Sequence, residues 1–153
     1  MRRAWMLLGL VAVGAALVAS GCGGDDDEDS TTAALSKQEF IKQADQVCAK
    51  GDKEIEQAAG DVFGGGQQPA RQEQERFITK TVIPNVQQQV DDVRALTPPE
   101  GDEKEVAAIL DSAQEGSDTV EKDPSVLTGG GKDPFAESDR LASDYGLKQC
   151  GGG

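Results

Sequence analysis

After position 35, apolar residues return every three or four residues along most of the chain. This spacing places side chains on one face of an α-helix, whereas a half-buried strand needs alternation at every second residue. No alternating run of useful length occurs in the sequence. Glycine and proline divide the periodic region into four segments. The sequence therefore predicts an all-α domain of four helices over residues 35–150, which is long enough to bury one core.

The first predicted helix begins at a strong start signal. Ser36 and Glu39 form the pattern S-x-x-E, in which each side chain accepts a hydrogen bond from the other residue's backbone N–H. An apolar stripe then continues to about residue 59, and we expect Gly60 and the triple glycine at 64–66 to end the helix. The predicted inward-facing residues are Phe40, Ala44, Val47, Gly51, Ile55 and Ala58.

The second predicted helix begins near Pro69 and ends before the Thr97-Pro98-Pro99 stretch. Pro84 lies inside it. A proline within a helix removes one backbone hydrogen bond and crowds the preceding turn, so we expect a kink there. The predicted inward-facing residues are Phe77, Ile78, Val82, Val86, Val90, Val93 and Leu96.

The third predicted helix ends at Asp123-Pro124, and the fourth starts with Asp133 as its N-cap and Pro134 in its first turn. Gly146 suits the left-handed position that ends a helix. Because the connections favour antiparallel neighbours, we predict an up-down-up-down four-helix bundle with a kinked second helix. The predicted inward-facing residues are Val106, Ile109, Leu110, Ala113 and Val120 in the third helix, and Phe135, Leu141, Ala142 and Tyr145 in the fourth.

The first 21 residues have the layout of an export signal. A cationic start that includes Arg2 and Arg3 precedes the apolar run at 4–19, and the small residues Ser20 and Gly21 follow. The alternative is a retained membrane helix. However, the run has 16 residues, against the roughly 20 needed to cross a bilayer. We therefore predict that residues 1–21 are a signal peptide that is removed.

The junction Ser20-Gly21-Cys22 resembles the lipobox of bacterial lipoproteins, although Ala19 stands where that family usually has leucine. The resemblance implies that the Cys22 thiol receives a diacylglyceryl group and that cleavage occurs just before it. It further implies a protein held by lipid on the extracytoplasmic face of the cell membrane. The remaining chain resembles small secreted helical lipoproteins in layout, a likeness that implies no activity.

Residues 22–34 are predicted to be the lipidated cysteine and a disordered acidic tether, since they contain no large apolar side chain and five acids in six positions. Fully stretched, the twelve residues 23–34 reach at most about 40 Å. Calcium binding is the alternative, but a plain acidic run lacks the spaced ligands and sharp turn of a calcium loop. Residues 151–153 are predicted to be a disordered tail.

If Cys22 carries lipid, an even pair of cysteines remains, Cys48 and Cys150. An exported protein is expected to oxidise such a pair, so we predict a disulfide between them. Helix lengths agree with it, because a short fourth helix would end near the height of Cys48 on the first. The alternative is two free buried thiols.

Composition excludes several functions. Without Arg2 and Arg3, 13 basic residues remain against 28 acidic ones, a net charge of −15 that repels nucleic acid and anionic lipid headgroups. The chain contains no histidine, which excludes Ser-His and Cys-His nucleophile pairs and argues against a zinc site. We therefore predict no cofactor and no metal. Membrane attachment must come from the lipid anchor.

Two classes of function remain. We predict a binding or interaction module, not an enzyme, with a protein or a cationic ligand as its partner. The alternative is a cell-envelope hydrolase that uses carboxylates alone, for which Asp91-Asp92 or Glu103 and Glu105 are candidates. A deep pocket with two converging acids would favour the enzyme, and an exposed groove would favour the module.

Phe63, beside the triple glycine, fits no predicted core face; it packs over the loop or marks a contact surface.

Overall fold

The computed structural model describes residues 34–66 and 68–151, and within them the chain is an all-helical bundle without strands. Helix α1 is Lys37–Phe63, and α2 consists of the consecutive segments Arg71–Phe77, Ile78–Val82 and Ile83–Arg94. Helix α3 is Glu103–Lys122, and α4 is Ala136–Tyr145. A 3₁₀ turn, Pro124–Leu127, lies between them. The predicted signal peptide, Cys22 and almost all of the predicted tether lie outside the described residues.

Helix α1 begins at the predicted capping box. The Glu39 backbone N–H donates to Ser36 Oγ at 3.3 Å, and the Ser36 N–H donates to Glu39 Oε2 at 3.2 Å. The predicted end at Gly60 is wrong, because α1 continues to Phe63. One glycine costs a long helix only about 1 kcal/mol, which does not stop it. The chain leaves the helix at the triple glycine, where Gly66 has a φ of +73°.

Helix α2 departs from α geometry just before Pro84. Residues Ile78–Val82 form a π-helical segment, in which the Ile83 N–H donates to the Ile78 carbonyl, five residues back. The widened turn shifts the register by one residue, so that Ile78 and Ile83 are both buried. The regular spacing predicts Val82 but not Ile83 on the inward face; in the structure Ile83 is buried as well, and Val82 lines the cavity described below. The α segment also starts at Arg71, two residues after the predicted start.

The predicted start of the fourth helix is wrong by two residues. The Asp133 carboxylate accepts a hydrogen bond from the Phe135 N–H at 2.9 Å, which forms a turn ahead of the helix. The predicted end is confirmed, since Gly146 is left-handed with a φ of +109°. The Leu147 N–H donates to the Ala142 carbonyl at 2.9 Å, and Leu147 is buried.

The core has two parts. The larger cluster lies between all four helices, and the smaller one joins α2 to the end of α3. Phe63 packs edge-on against Phe77 at 5.4 Å between ring centroids, so the aromatic that fitted no core face covers the start of α2. The buried residues are Phe40, Ala44, Val90, Val93, Val106, Ile109, Leu110, Ala142, Tyr145 and Leu147 in the larger cluster, and Ile78, Ile83 and Val120 in the smaller.

The predicted disulfide is present, with Cys48 and Cys150 at a Cα–Cα distance of 5.2 Å. Helix α4 does not end beside Cys48, so the expected match of helix heights is wrong. Tyr145 at the end of α4 packs against Phe40, two turns before Cys48. After Gly146 the chain runs back along α1, and Asp45 Oδ1 accepts hydrogen bonds from the backbone N–H groups of residues 148 and 149, each at 2.9 Å. This reversal brings Cys150 to Cys48.

Within the ranges that the structure describes, we find no helix with the length and apolar character that crossing a bilayer requires.

Candidate functional site

A partly open cavity of about 380 Å³ lies inside the bundle, beside the disulfide. Its inner wall is built from buried apolar side chains of α1, α2, α3 and the chain that follows α4. Its rim carries the lining residues that remain exposed to solvent. The inner wall consists of Cys48, Val90, Val93, Ile109, Leu110 and Leu147, and the exposed rim residues are Asp52, Leu127, Asp133 and Gln149.

The irregular turn of α2 shapes one side of the cavity. Val82 and Val86 line it, while Ile78 and Ile83 point into the smaller core cluster with Val120. Four apolar residues of one helix therefore serve two different surfaces. A regular helix would place Ile78 and Ile83 about 140° apart, so it could not bury both against one neighbour.

The segment between α3 and α4 forms another part of the lining. Phe135 lines the cavity and lies directly over Gly116 of α3. A Cβ atom at Gly116 would come within 2.7 Å of the Phe135 ring and 2.8 Å of the Pro134 carbonyl oxygen. Only glycine allows this approach. Ser138, also in the lining, is buried and donates its hydroxyl to the Phe135 carbonyl at 2.7 Å.

Asp52 reaches the rim from α1, beside a polar network that joins α1 to α2. Gln89 Nε2 donates to Asn85 Oδ1 at 2.8 Å, and Asn85 Nδ2 donates to Glu54 Oε2 at 3.1 Å. Gly51 lets α2 come close at this point, since a Cβ there would lie 2.2 Å from Gln89 Nε2. Partial burial raises the pKa of Asp52, and a hydrogen bond from Gln89 opposes that rise.

Two further carboxylates reach the cavity from the start of α4. Asp133 is exposed, and one of its oxygens is held by the Phe135 N–H. Asp139 is half-buried. Partial burial raises the pKa of Asp139, and the negative charge of Asp133 raises it further. The cavity therefore combines an apolar interior with three acids, two of which repel each other.

The negative charges of the three carboxylates are not balanced by positive side chains among the described lining residues. Among the described residues that line the cavity, none is a lysine or arginine. Across residues 34–66 and 68–151, the ion pairs involve other acids, and none includes Asp52, Asp133 or Asp139. In the same ranges, no group of three or more potential ligand side chains is placed to hold a metal ion. The arrangement suits an apolar molecule better than a small ion.

The acid pairs named from the sequence lie elsewhere. Asp91 is exposed and pairs with Arg94 at 3.6 Å, and Asp92 accepts a hydrogen bond from Gln88 at 2.7 Å. Glu103 and Glu105 are exposed in the first turn of α3. None of these four acids lines the cavity. The structure does not bring them into a common pocket.

The other predicted site residues have different outcomes. Cys48 and Cys150 form the predicted disulfide and also line the cavity, whereas Cys22 lies outside the described residues. Sequence reasoning missed Asp52, Asp133 and Asp139 as residues of one site. Their local patterns indicate no shared site: Asp133 is recognisable only as a helix-start residue, and the fold places all three around one cavity from distant positions.

Comparison with known proteins gives no match: no family model fits the chain, and neither a curated protein nor a solved structure is detectably similar to it.

Proposed function

We propose that this protein is a lipid-anchored binding protein on the extracytoplasmic face of the cell membrane. Its helical bundle holds a small, largely apolar molecule in the cavity beside the Cys48–Cys150 disulfide. The observation that carries this proposal is the cavity itself, with about 380 Å³ of space and an apolar inner wall. The partner is thus a small molecule, and the protein binds it without converting it.

The proposed location of the protein at the membrane rests on its N-terminal sequence. An apolar run, two small residues and Cys22 support export, cleavage and lipidation, and the acidic segment that follows supports a solvated tether. The acyl chains of a lipidated cysteine supply the attachment that an acidic surface cannot. The disulfide of the domain fits an oxidising compartment.

The dimensions of the cavity support binding of a small molecule. Ligand pockets commonly have volumes of about 300–1,000 Å³, mostly apolar walls and a few polar groups. An apolar cavity of about 150 Å³ admits benzene, so on that scale 380 Å³ holds roughly fifteen non-hydrogen atoms. A medium-length alkyl chain fits this size.

A cavity-filling variant tests the proposal. The chain from residue 22 onward, carrying Cys22→Ser, contains every core and cavity residue and lacks the lipid. We expect calorimetric titration with 1-decanol to show saturable binding at one site. Ala113→Phe, which adds a ring to the cavity wall, should abolish it, whereas Ala107→Phe on the exposed face of the same helix should not. The absence of decanol binding to the parent chain would overturn the proposal.

A carboxylate-dependent hydrolase is the second candidate, and the acids around the cavity favour it. Asp139 has a raised pKa, as a general acid requires, and other carboxylates share the same opening. Against it, the lining has few groups that orient a polar substrate. Fluorogenic glycosides and esters test this candidate: turnover by the parent chain that Asp139→Asn abolishes would replace binding with catalysis.

For the topology we propose the up-down-up-down order. Consecutive helices pack on one another. Lys37 at the start of α1 contacts Asp102 just before α3 and Tyr145 at the end of α4, which supports a common end for these three points. That arrangement follows when each helix runs opposite to the one before it.

A further inference from the structure

We infer that the ligand carries a cationic group on its apolar body, as an alkylammonium compound does, and that Asp52, Asp133 and Asp139 hold this cation at the opening of the cavity. The inference deepens the proposed function and rests on it, because it concerns the same cavity. The apolar part of the ligand lies against the inner wall, and the cation stays at the rim, where solvent still reaches it.

The first argument is the unbalanced charge at the rim. Three carboxylates line the same cavity, Asp52 from α1 and Asp133 and Asp139 from the start of α4, and no lysine or arginine is among the described residues that line it. Asp133 and Asp139 repel each other across the start of α4. A cation at this point relieves that repulsion, whereas an anionic ligand such as a fatty acid adds to it.

The second argument is the position of the acids relative to the apolar wall. The buried lining residues are apolar except for Ser138, whose hydroxyl already donates within the chain. Of the three carboxylates that line the same cavity, Asp52 and Asp133 are exposed and Asp139 is half-buried. A ligand with two ends of different chemistry matches both parts at once, while a hydrated metal ion leaves the apolar wall unused.

The test compares three probes with the same chain length: decyltrimethylammonium, 1-decanol and decanoate. Each is titrated calorimetrically below its micelle concentration into the chain from residue 22 onward with Cys22→Ser. We expect the cation to bind at least tenfold more tightly than the alcohol and the anion to bind more weakly than the alcohol. The triple variant Asp52→Asn, Asp133→Asn and Asp139→Asn should lose the preference for the cation and keep the affinity for 1-decanol.

A matched control separates the local effect from the net charge of the tested chain, which is −15 without Arg2 and Arg3. The triple variant Asp61→Asn, Asp91→Asn and Asp111→Asn removes the same charge at exposed sites away from the cavity. It should retain the preference for the cation. If the first triple variant does not fold by circular dichroism, Asp52→Asn alone is used, and we expect it to reduce the preference at least threefold.

The outcomes distinguish the two proposals. Equal affinity for the cation and the alcohol overturns this inference and leaves the binding function standing. A preference for the cation that both triple variants reduce equally also overturns it, because net charge then explains the effect. If no probe binds, the cavity is not a binding site, and both proposals fail.

Discussion

The Tyr145 hydroxyl donates a hydrogen bond to Asp102 Oδ2 at 2.8 Å, joining the end of α4 to the residue before α3. Lys37 completes the contact, with its Nζ 3.5 Å from the same carboxylate oxygen and 3.9 Å from the centre of the Tyr145 ring. Three segments that are far apart in the sequence therefore meet at one end of the bundle. The Tyr145 side chain is buried, and its hydroxyl proton forms the hydrogen bond to Asp102 that holds this junction.

Because of this junction, we expect the Tyr145 hydroxyl to lose its proton only at a pH well above the usual one. Burial raises the pKa of its phenol well above the usual 10, and the hydrogen bond to Asp102 and the charges of Asp102 and Glu105 raise it further. The chain has a single tyrosine, so phenolate absorbance reports this residue alone. We expect no phenolate signal near pH 10 in the folded protein and a normal titration near pH 10 after unfolding.

The same shift predicts the sign of a stability change. Because the folded state holds the proton more tightly than the unfolded state, this stabilisation is complete below pH 10 and is lost as the pH rises through the folded pKa. Denaturant titrations should show a free energy of unfolding that falls above pH 10. Tyr145→Phe should remove that part of the fall, and an identical pH dependence in this variant would contradict the assignment.

The helices and the disulfide were predictable because their signals are local or countable. The capping box at Ser36 and Glu39 and the left-handed Gly146 each act over a single helical turn. The disulfide follows from the even number of cysteines left after Cys22, which can be counted without knowing the fold. The π-helical segment was not predictable, since it depends on the packing of Ile78 and Ile83 against α3. The cavity was also missed, because Asp52 and Asp139 are separated by most of the domain in sequence and line one cavity only through the fold.

Two glycines within helices predict opposite effects of added methyl groups. Gly116→Ala places a Cβ against the Phe135 ring and the Pro134 carbonyl, so we expect a loss of about 1–3 kcal/mol of stability. Gly60→Ala meets no atom within 4 Å in α1, so we expect a gain of about 0.5–1 kcal/mol. Thermal unfolding measures both. Equal effects at the two positions would mean that Phe135 does not lie against Gly116.

Pro84→Ala tests what holds the irregular turn of α2. In a regular helix a proline costs about 3 kcal/mol, partly through contact with the carbonyl four residues earlier. The wider turn at Ile78–Val82 lies just before exposed Pro84, and we expect it to relieve that contact. Since burial of Ile78 and Ile83 also favours the wider turn, we expect the variant to change stability by less than about 1 kcal/mol. A loss of several kcal/mol in denaturant titrations would show that the proline itself maintains this geometry.

Cys22 is predicted to carry the lipid anchor. Intact mass spectrometry of the mature protein should find a chain that starts at Cys22 with added acyl mass, and Cys22→Ser should release the protein from the membrane fraction. Ser20→Ala is a suitable control, because it changes a neighbouring small residue and keeps the thiol. A mature protein that begins at another residue without acyl mass would refute lipidation.

The last prediction concerns the Cys48–Cys150 disulfide, which closes a loop over a sequence separation of 102 residues. Non-reducing peptide mapping of the Cys22→Ser chain should give one linked pair that contains both cysteines.

Removing the bridge with Cys48→Ser and Cys150→Ser should cost up to about 4.7 kcal/mol in the chain-entropy model. The rate of amide hydrogen exchange should then rise first at Lys148 and Gln149. The backbone N–H groups of these two residues donate to the Asp45 carboxylate beside the bridge. Because both cysteines line the cavity, decanol binding should weaken in the same variant. If both thiols of the unreduced protein react with an alkylating reagent, the bridge is absent and the return of the chain along α1 needs another explanation.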